Sequence, residues 1–298
     1  MKQATRFKKQ FRQNVNQDSK IYPYARSIYT FYCNFAGSFH VLPDFLIIGA
    51  ARSGTTSLYQ YLVKHPNIEP CAVKQLHFFD QYFQKGINWY RMNFPSNWQK
   101  FIFQRIKKSK FITGEATPYY LQNPHAPKRV YNLNSNMKLI VLLRNPVDRA
   151  FSHYNRRLKN GTEKLSFEEA TDQEKNRIEG EMEKMEQNED YFSYIYHQLS
   201  YISAGLYVLH LKRWLQCFPI EQILILENDE FLRNTQTIYN QTLEFLDLPK
   251  WNLSNYEKFE KSKPFQMDPK TRKKLLEYCK PFNEDLYSLI GKRFDWDK

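Results

Sequence analysis

The chain has 298 residues, with 44 Lys and Arg against 31 Asp and Glu, a formal charge of +13 and a pI near 9.4. This balance suits an anionic partner: an acidic cofactor, an acidic glycan, nucleic acid or a membrane surface. The length allows one large α/β core with a small appendage, and no apolar run approaches the ~18 to 20 residues of a membrane span, which excludes a helical membrane protein.

Residues 1 to 20 (MKQATRFKKQFRQNVNQDSK) are polar and basic, lack a signal-peptide core, and read as a mobile arm suited to a membrane surface. Residues 21 to 43 are aromatic, with IYTFYCNF as a short helix on the core. The expected division is an N-terminal arm and helical segment at 1–40 and one domain at 41–298. Phe45, Leu46, Ile47 and Ile48 then form a strand, Phe45–Gly49, apolar enough to be buried on both faces.

That strand breaks on Gly49, Ala50, Ala51 and Gly54, small residues that let successive N–H groups converge where a helix begins, as an anion site needs. Thr55, Thr56 and Ser57 add hydroxyls, and Arg52 adds a fixed charge. The spacing follows the outline of a nucleotide-triphosphate loop, but Thr55 stands in the lysine place. An ordinary βα turn of small residues would look similar.

Further strands are expected at Phe111–Gly114, Lys138–Leu143 and Gln222–Leu226, alternating with helical patterns. The alternation predicts an α/β fold: a P-loop-like parallel sheet with helices on both faces. The strand KLIVLL runs into Arg144, where a magnesium-binding NTPase strand would end in Asp, so an anion is expected there and a metal is not. In RNPVDRAFSHY (144–154), Pro146 suits a first helical turn and Ser152 lies about two turns in, so Arg144 and Ser152 can approach one anion. Taken alone, the segment reads better as a helix with Arg149 and Arg156 solvated and Ser152 incidental. Ser166 to Gln187, charged and interrupted by Gly180, reads as a solvated surface helix. Tyr and Phe are spread through the elements without a nucleic-acid module, so no nucleic-acid partner is expected. Cys33, Cys71, Cys217 and Cys279 are far apart and lack metal-ligand spacing, which points to a reducing, cytoplasmic setting.

Together, the two anion segments resemble the sulfotransferases that use 3′-phosphoadenosine 5′-phosphosulfate (PAPS), closest to the heparan-sulfate-type and related bacterial carbohydrate members. LHFFD (76–80), GEATPYYL (114–121), GLYVLHLKRWLQCFP (205–219) and GKRFDW (291–296) extend the likeness from Leu42 to Trp296. The resemblance implies that Ala51, Arg52, Ser53, Gly54, Thr55 and Thr56 hold the 5′-phosphosulfate. It also implies that Arg144 and Ser152 hold the 3′-phosphate, with Lys261 and Lys263 in a basic loop that closes over it. The implied reaction moves a sulfuryl group from PAPS to a hydroxyl or amine, first of a carbohydrate and next of a lipid or small metabolite, without a metal.

The acceptor side departs from the pattern. Heparan-type members have a carboxylate two residues before the His of HFFD, and here that place is Gln75, whose amide cannot take a proton. Lysines common in those members are replaced by Arg52 and Ala116. His77, then Glu115, are the candidate bases, Arg52 the catalytic cation, and Lys74, Gln75 and His77 the candidate acceptor-binding residues; Lys74 reads better as a solvated lysine. A non-catalytic PAPS- or glycan-binding relative, or a kinase-like P-loop enzyme, are the alternative readings.

Overall fold

In the computed structural model, residues 32–33, 35–253 and 267–296 are described; the basic arm and the Lys258 to Lys263 stretch, with Lys261 and Lys263, lie outside them. Five parallel strands, β1 (Phe45–Gly49), β2 (Ile68–Pro70), β3 (Ile112–Ala116), β4 (Lys138–Leu143) and β5 (Ile223–Glu227), form a sheet in the order β2-β3-β1-β4-β5. The helices that frame the site are α1 (Thr55–Leu62), α2 (Asn97–Lys107), α3 (Pro146–Lys159), α4 (Tyr207–Leu215), α5 (Thr235–Phe245) and α6 (Pro269–Ile290).

The strands are apolar throughout because both faces are covered. Phe45, Ile47, Ile140 and Leu142 point to a layer with Leu58 and Leu62 of α1 and Ile238, Tyr239 and Leu243 of α5. Leu46, Ile48, Leu139, Val141 and Leu143 point to the other layer, with Tyr207, Leu211 and Trp214 of α4 and Leu286 and Tyr287 of α6. This alternation is the signature of a doubly covered parallel sheet.

The order also fixes where a ligand can sit. The chain leaves β1 toward β2 and β3 on one side, then crosses to β4 and β5 on the other. The loops after β1 and β4 therefore diverge and open a crevice at the carboxyl ends of the two central strands.

Three expectations need correction. β2 is an additional strand, and β3 begins one residue later than expected and continues through Ala116. The 166–187 stretch is three short helices, Phe167–Asp172, Glu174–Arg177 and Glu181–Gln187, with Gly180 at φ 71 between the last two. Two of its acidic residues are buried rather than solvated: Glu174 accepts from the backbone N–H groups of Ile202 (2.6 Å) and Ser203 (2.9 Å), and Glu181 accepts from Tyr191 (2.7 Å) and Ser193. They anchor the 191–203 strap that packs beside α3. Arg149, solvated in the alternative reading of that segment alone, is fully buried and donates to the carbonyls of Tyr201 and Ser200.

Candidate active site

The loop after β1 turns tightly because Arg52 and Gly54 take positive φ, 72° and 91°. For Gly54 this is what a residue without a side chain accommodates, and a Cβ there would also meet Asn228 Nδ2 at 2.8 Å. That Asn228 amide donates to the Ser53 carbonyl at 2.9 Å and fixes the loop from the end of β5. Gly54 caps α1, so the unpaired N–H groups of the Thr55 turn face the crevice. Ala51, Ser53 and Thr55 are buried, whereas Arg52, Gly54 and Thr56 are partly exposed.

The loop after β4 meets it. The Asn145 side chain caps α3 by accepting from Val147 N–H (2.9 Å) and Asp148 N–H (3.4 Å), and Pro146 starts the helix without losing a needed donor. Ser152 is thereby brought to Arg52, whose Nε donates to Ser152 Oγ at 3.2 Å. Arg144 Nη1 approaches the Arg52 carbonyl at 3.5 Å. The Asn145 Nδ2 donates to the Trp296 carbonyl at 3.0 Å, and Trp296 Nε1 donates to Glu227 at 2.9 Å, next to Asn228. The two anion segments therefore share one brace at the chain's far end.

On the acceptor side, Gln75 and His77 also take positive φ, 55° and 51°. His77 Nδ1 lies 2.8 Å from Asp80 Oδ2, which fixes the neutral tautomer with Nε2 as the open acceptor. Burial lowers the His77 pKa, but the hydrogen bond and charge of Asp80, with the charge of Glu115, outweigh it and leave the pKa above its ordinary value. Tyr119 and His197 lie against the ring, each 5.8 Å away. Burial, then His77 and Arg157, push His197 down to about 3, so it stays neutral. Arg157 donates to the Tyr119 hydroxyl at 2.9 Å and to His153 Nε2 at 2.9 Å, and His153 follows Ser152 on α3. Through α3 the imidazole cluster is tied to the anion segments.

Glu115 does not point into the crevice as expected. Its carboxylate, 1% exposed, accepts from Tyr90 (2.9 Å), Tyr120 (2.8 Å) and Thr117 (2.6 Å), and Leu76 N–H approaches at 3.4 Å. It holds the His77 loop indirectly, since His77 N–H reaches Thr117 Oγ1 at 3.4 Å. Ala116 packs in the apolar layer with Ile47, and Lys74 is exposed. Sequence reading missed Asp80, although its i,i+3 spacing from His77 was a usable signal. It also missed Tyr119, Arg157, His197 and Asn228, where no local pattern marks the role.

Two loops carrying guanidinium, hydroxyl and helix-start N–H groups, meeting at the switch point of a parallel sheet with an oriented imidazole beside them, are the arrangement of an α/β group-transfer enzyme. Residues 42–283 match the sulfotransferase domain, and the chain belongs to that family. It is 27% identical over 87% of its length to the membrane-associated sulfotransferase kil1 of Dictyostelium discoideum, covering 68% of that protein. It is 29% identical over 86% of its length to the human heparan sulfate glucosamine 3-O-sulfotransferase 3B1, covering 65% of it. With the Caenorhabditis elegans bifunctional heparan sulfate N-deacetylase/N-sulfotransferase 1 it shares 31% identity over 78% of the chain and spans only 25% of that protein. The crystal structure of a sulfotransferase from Alicyclobacillus acidocaldarius has a TM-score of 0.66 and 27% identity, covering 87% of this chain and 100% of that one.

Proposed function

We propose that this chain transfers the sulfuryl group of PAPS to a hydroxyl or amine of a carbohydrate. The observation that carries the reading is the Arg52 Nε contact with Ser152 Oγ at 3.2 Å, which joins the loop after β1 to the helix after β4. The donor set suits a nucleotide with phosphate at both ends: two guanidiniums, the hydroxyls of Ser53, Thr55, Thr56 and Ser152, and the start of α1. PAPS supplies the electrophilic sulfur. Arg144 and Ser152 bind the 3′-phosphate, while Arg52 and the loop amides balance charge at the 5′ end. His77 Nε2 takes the acceptor proton, and Gln75, which can donate and accept but not ionise, orients the hydroxyl. The heparan sulfate relatives support a carbohydrate acceptor, and the wide spacing of the cysteines in the sequence supports a cytoplasmic setting.

Radiolabelled sulfate transfer from PAPS to a panel of glycans, lipids and phenols tests this. Label on a glycan is the expected result. Gln75 in the carboxylate place favours a second reading, a relative that binds the nucleotide without turnover; binding of adenosine 3′,5′-bisphosphate with no labelled acceptor would select it. Arg144→Ala should weaken that bisphosphate by about one to two decades, the loss of a charge-assisted contact of roughly 1.5 to 3 kcal/mol, measured by calorimetry. Unchanged affinity would remove Arg144 from the site.

Metal independence follows from Arg144 at the end of β4 and Thr55 in the place of the NTPase lysine. Transfer should persist in EDTA. Loss of activity restored by Mg²⁺ would return the reading to kinase-like chemistry.

A further inference from the structure

Helix α2 (Asn97–Lys107) is well formed yet poorly buried. Ser96 and Gln99 close a capping box at its start, and Phe103 is its one buried side chain. A helix on a globular protein ordinarily turns its apolar stripe inward. This one turns Trp98, Phe101 and Ile106 to solvent, 68%, 49% and 76% exposed.

The same face continues into the segment before β1. Asn97 N–H donates to the Phe39 carbonyl at 2.8 Å, and His40 pairs with Ser96 as an isolated β-bridge. Phe39 and Phe35 are themselves 56% and 64% exposed. Exposed large apolar side chains thus line both α2 and the segment that pairs with its start, with Trp98 stacked on Phe101 at 5.6 Å and Phe35 against Phe39 at 5.4 Å.

The rim of this face is cationic. Residues 81–114 contain seven Lys or Arg and no Asp or Glu. Arg105 lies over the exposed Phe101 ring at 5.7 Å, so its stem follows the aromatic surface, whereas Lys107 lies over the buried Phe103 at 4.2 Å and donates to the Pro66 carbonyl at 2.9 Å. Lys108 is exposed beside them. Acidic groups meet its edge, where Asp247 lies 3.2 Å from Lys110 and Asp44 interacts with Lys100 and Lys110. The sequence upstream adds to the same sign, with seven Lys or Arg and one Asp in residues 1–31.

We propose that this face docks on an anionic lipid surface, with Trp98, Phe101 and Ile106 entering the headgroup region and Arg105 and Lys108 contacting lipid phosphates and carboxylates. Aromatic and aliphatic side chains within a basic rim are what such an interface rewards. A second copy of the chain fits less well, because a two-fold pairing of this patch would set cation against cation. Protein interface cores are also depleted in lysine. The patch is built by the segments that lead into β1 and β3, whereas the anion loops leave the carboxyl ends of β1 and β4. Docking thus leaves the crevice open.

The test is flotation of the full chain with phosphatidylcholine vesicles prepared with and without phosphatidylserine. Binding should require phosphatidylserine and weaken with salt. The Trp98→Ala, Phe101→Ala, Ile106→Ser triple variant should lose about ten-fold or more in partitioning, with unchanged circular dichroism. The Trp98 emission, isolated by subtracting Trp98→Phe, should shift to the blue on binding. Equal binding to both vesicle types would overturn the proposal, as would a triple variant that floats like the native chain while Lys8→Glu, Lys9→Glu, Arg12→Glu does not. Concentration-dependent dimers abolished by the triple variant would assign the face to a second copy instead.

Discussion

Replacement of His77 by Ala is expected to lower turnover by roughly two to four decades while leaving the affinity for adenosine 3′,5′-bisphosphate nearly unchanged. The expectation rests on orientation as much as on residue type. Asp80 holds Nδ1 at 2.8 Å, so Nε2 is the one ring nitrogen left to take a proton. Asp80 also raises the imidazole pKa against the opposing effect of burial, so transfer should increase with pH through a midpoint above the ordinary value of about 6.5. Asp80→Asn should move that midpoint down, because the pairing charge is gone. Gln75→Glu is the companion variant: a strong gain would mean that the native base is suboptimal and that the acceptor is already acidic, as a phenol is. Near-native turnover in His77→Ala would sink the assignment.

The second large effect is on stability. Glu115→Ala removes the acceptor shared by the Tyr90, Tyr120 and Thr117 hydroxyls, all within 2.9 Å, and leaves buried donors without a partner. Each such orphan costs about 1 to 3 kcal/mol, so a total loss of at least about 3 kcal/mol is expected in urea unfolding. Burial is the largest influence on this carboxyl and raises its pKa above the ordinary carboxylate value despite the hydrogen bonds. The sign follows: a raised folded pKa favours the protonated folded state, so this contribution is fully present below the unfolded pKa and is lost as pH rises through the folded one. Native protein should therefore gain stability, relative to Glu115→Gln, as pH falls from neutrality toward about 4.5. A Glu115→Ala midpoint within experimental error of the native one would refute the hub role.

The parts of the fold that could be read from sequence were those with strong local signals. β1 and β4 are continuous apolar runs that end on a loop, and their bounds agree with the expected ones. β2 spans only Ile68–Pro70, too short for a period and ending in Pro, so it gave no strand signal. In β3 the expected strand stopped at Gly114, which left Glu115 as a residue at a strand end. In the sheet it pairs with Leu46 inside the strand, and so it faces the buried layer. The meeting of Arg52 with Ser152 was legible for the same local reason, since each segment fits within a dozen residues. The imidazole neighbourhood was not, because Tyr119, Arg157 and His197 converge from separate elements and only packing brings them together. The acidic stretch 166–187 misled through composition, since burial of Glu174 and Glu181 depends on backbone donors from the 191–203 strap.

The brace at Trp296 has a consequence for synthesis. The two loops proposed to hold the nucleotide lie at 49–57 and 144–152, but Asn228 holds the first and the Trp296 carbonyl holds the cap of the second. A nascent chain can emerge with both loops complete in sequence while neither has its support. Nucleotide cannot then assist early folding by binding a half-made domain, and the central strands must find each other through apolar contacts alone until residue 296 has left the ribosome. Stalling the ribosome shortly before that point should yield a chain with a protease-resistant sheet that fails to retain adenosine 3′,5′-bisphosphate.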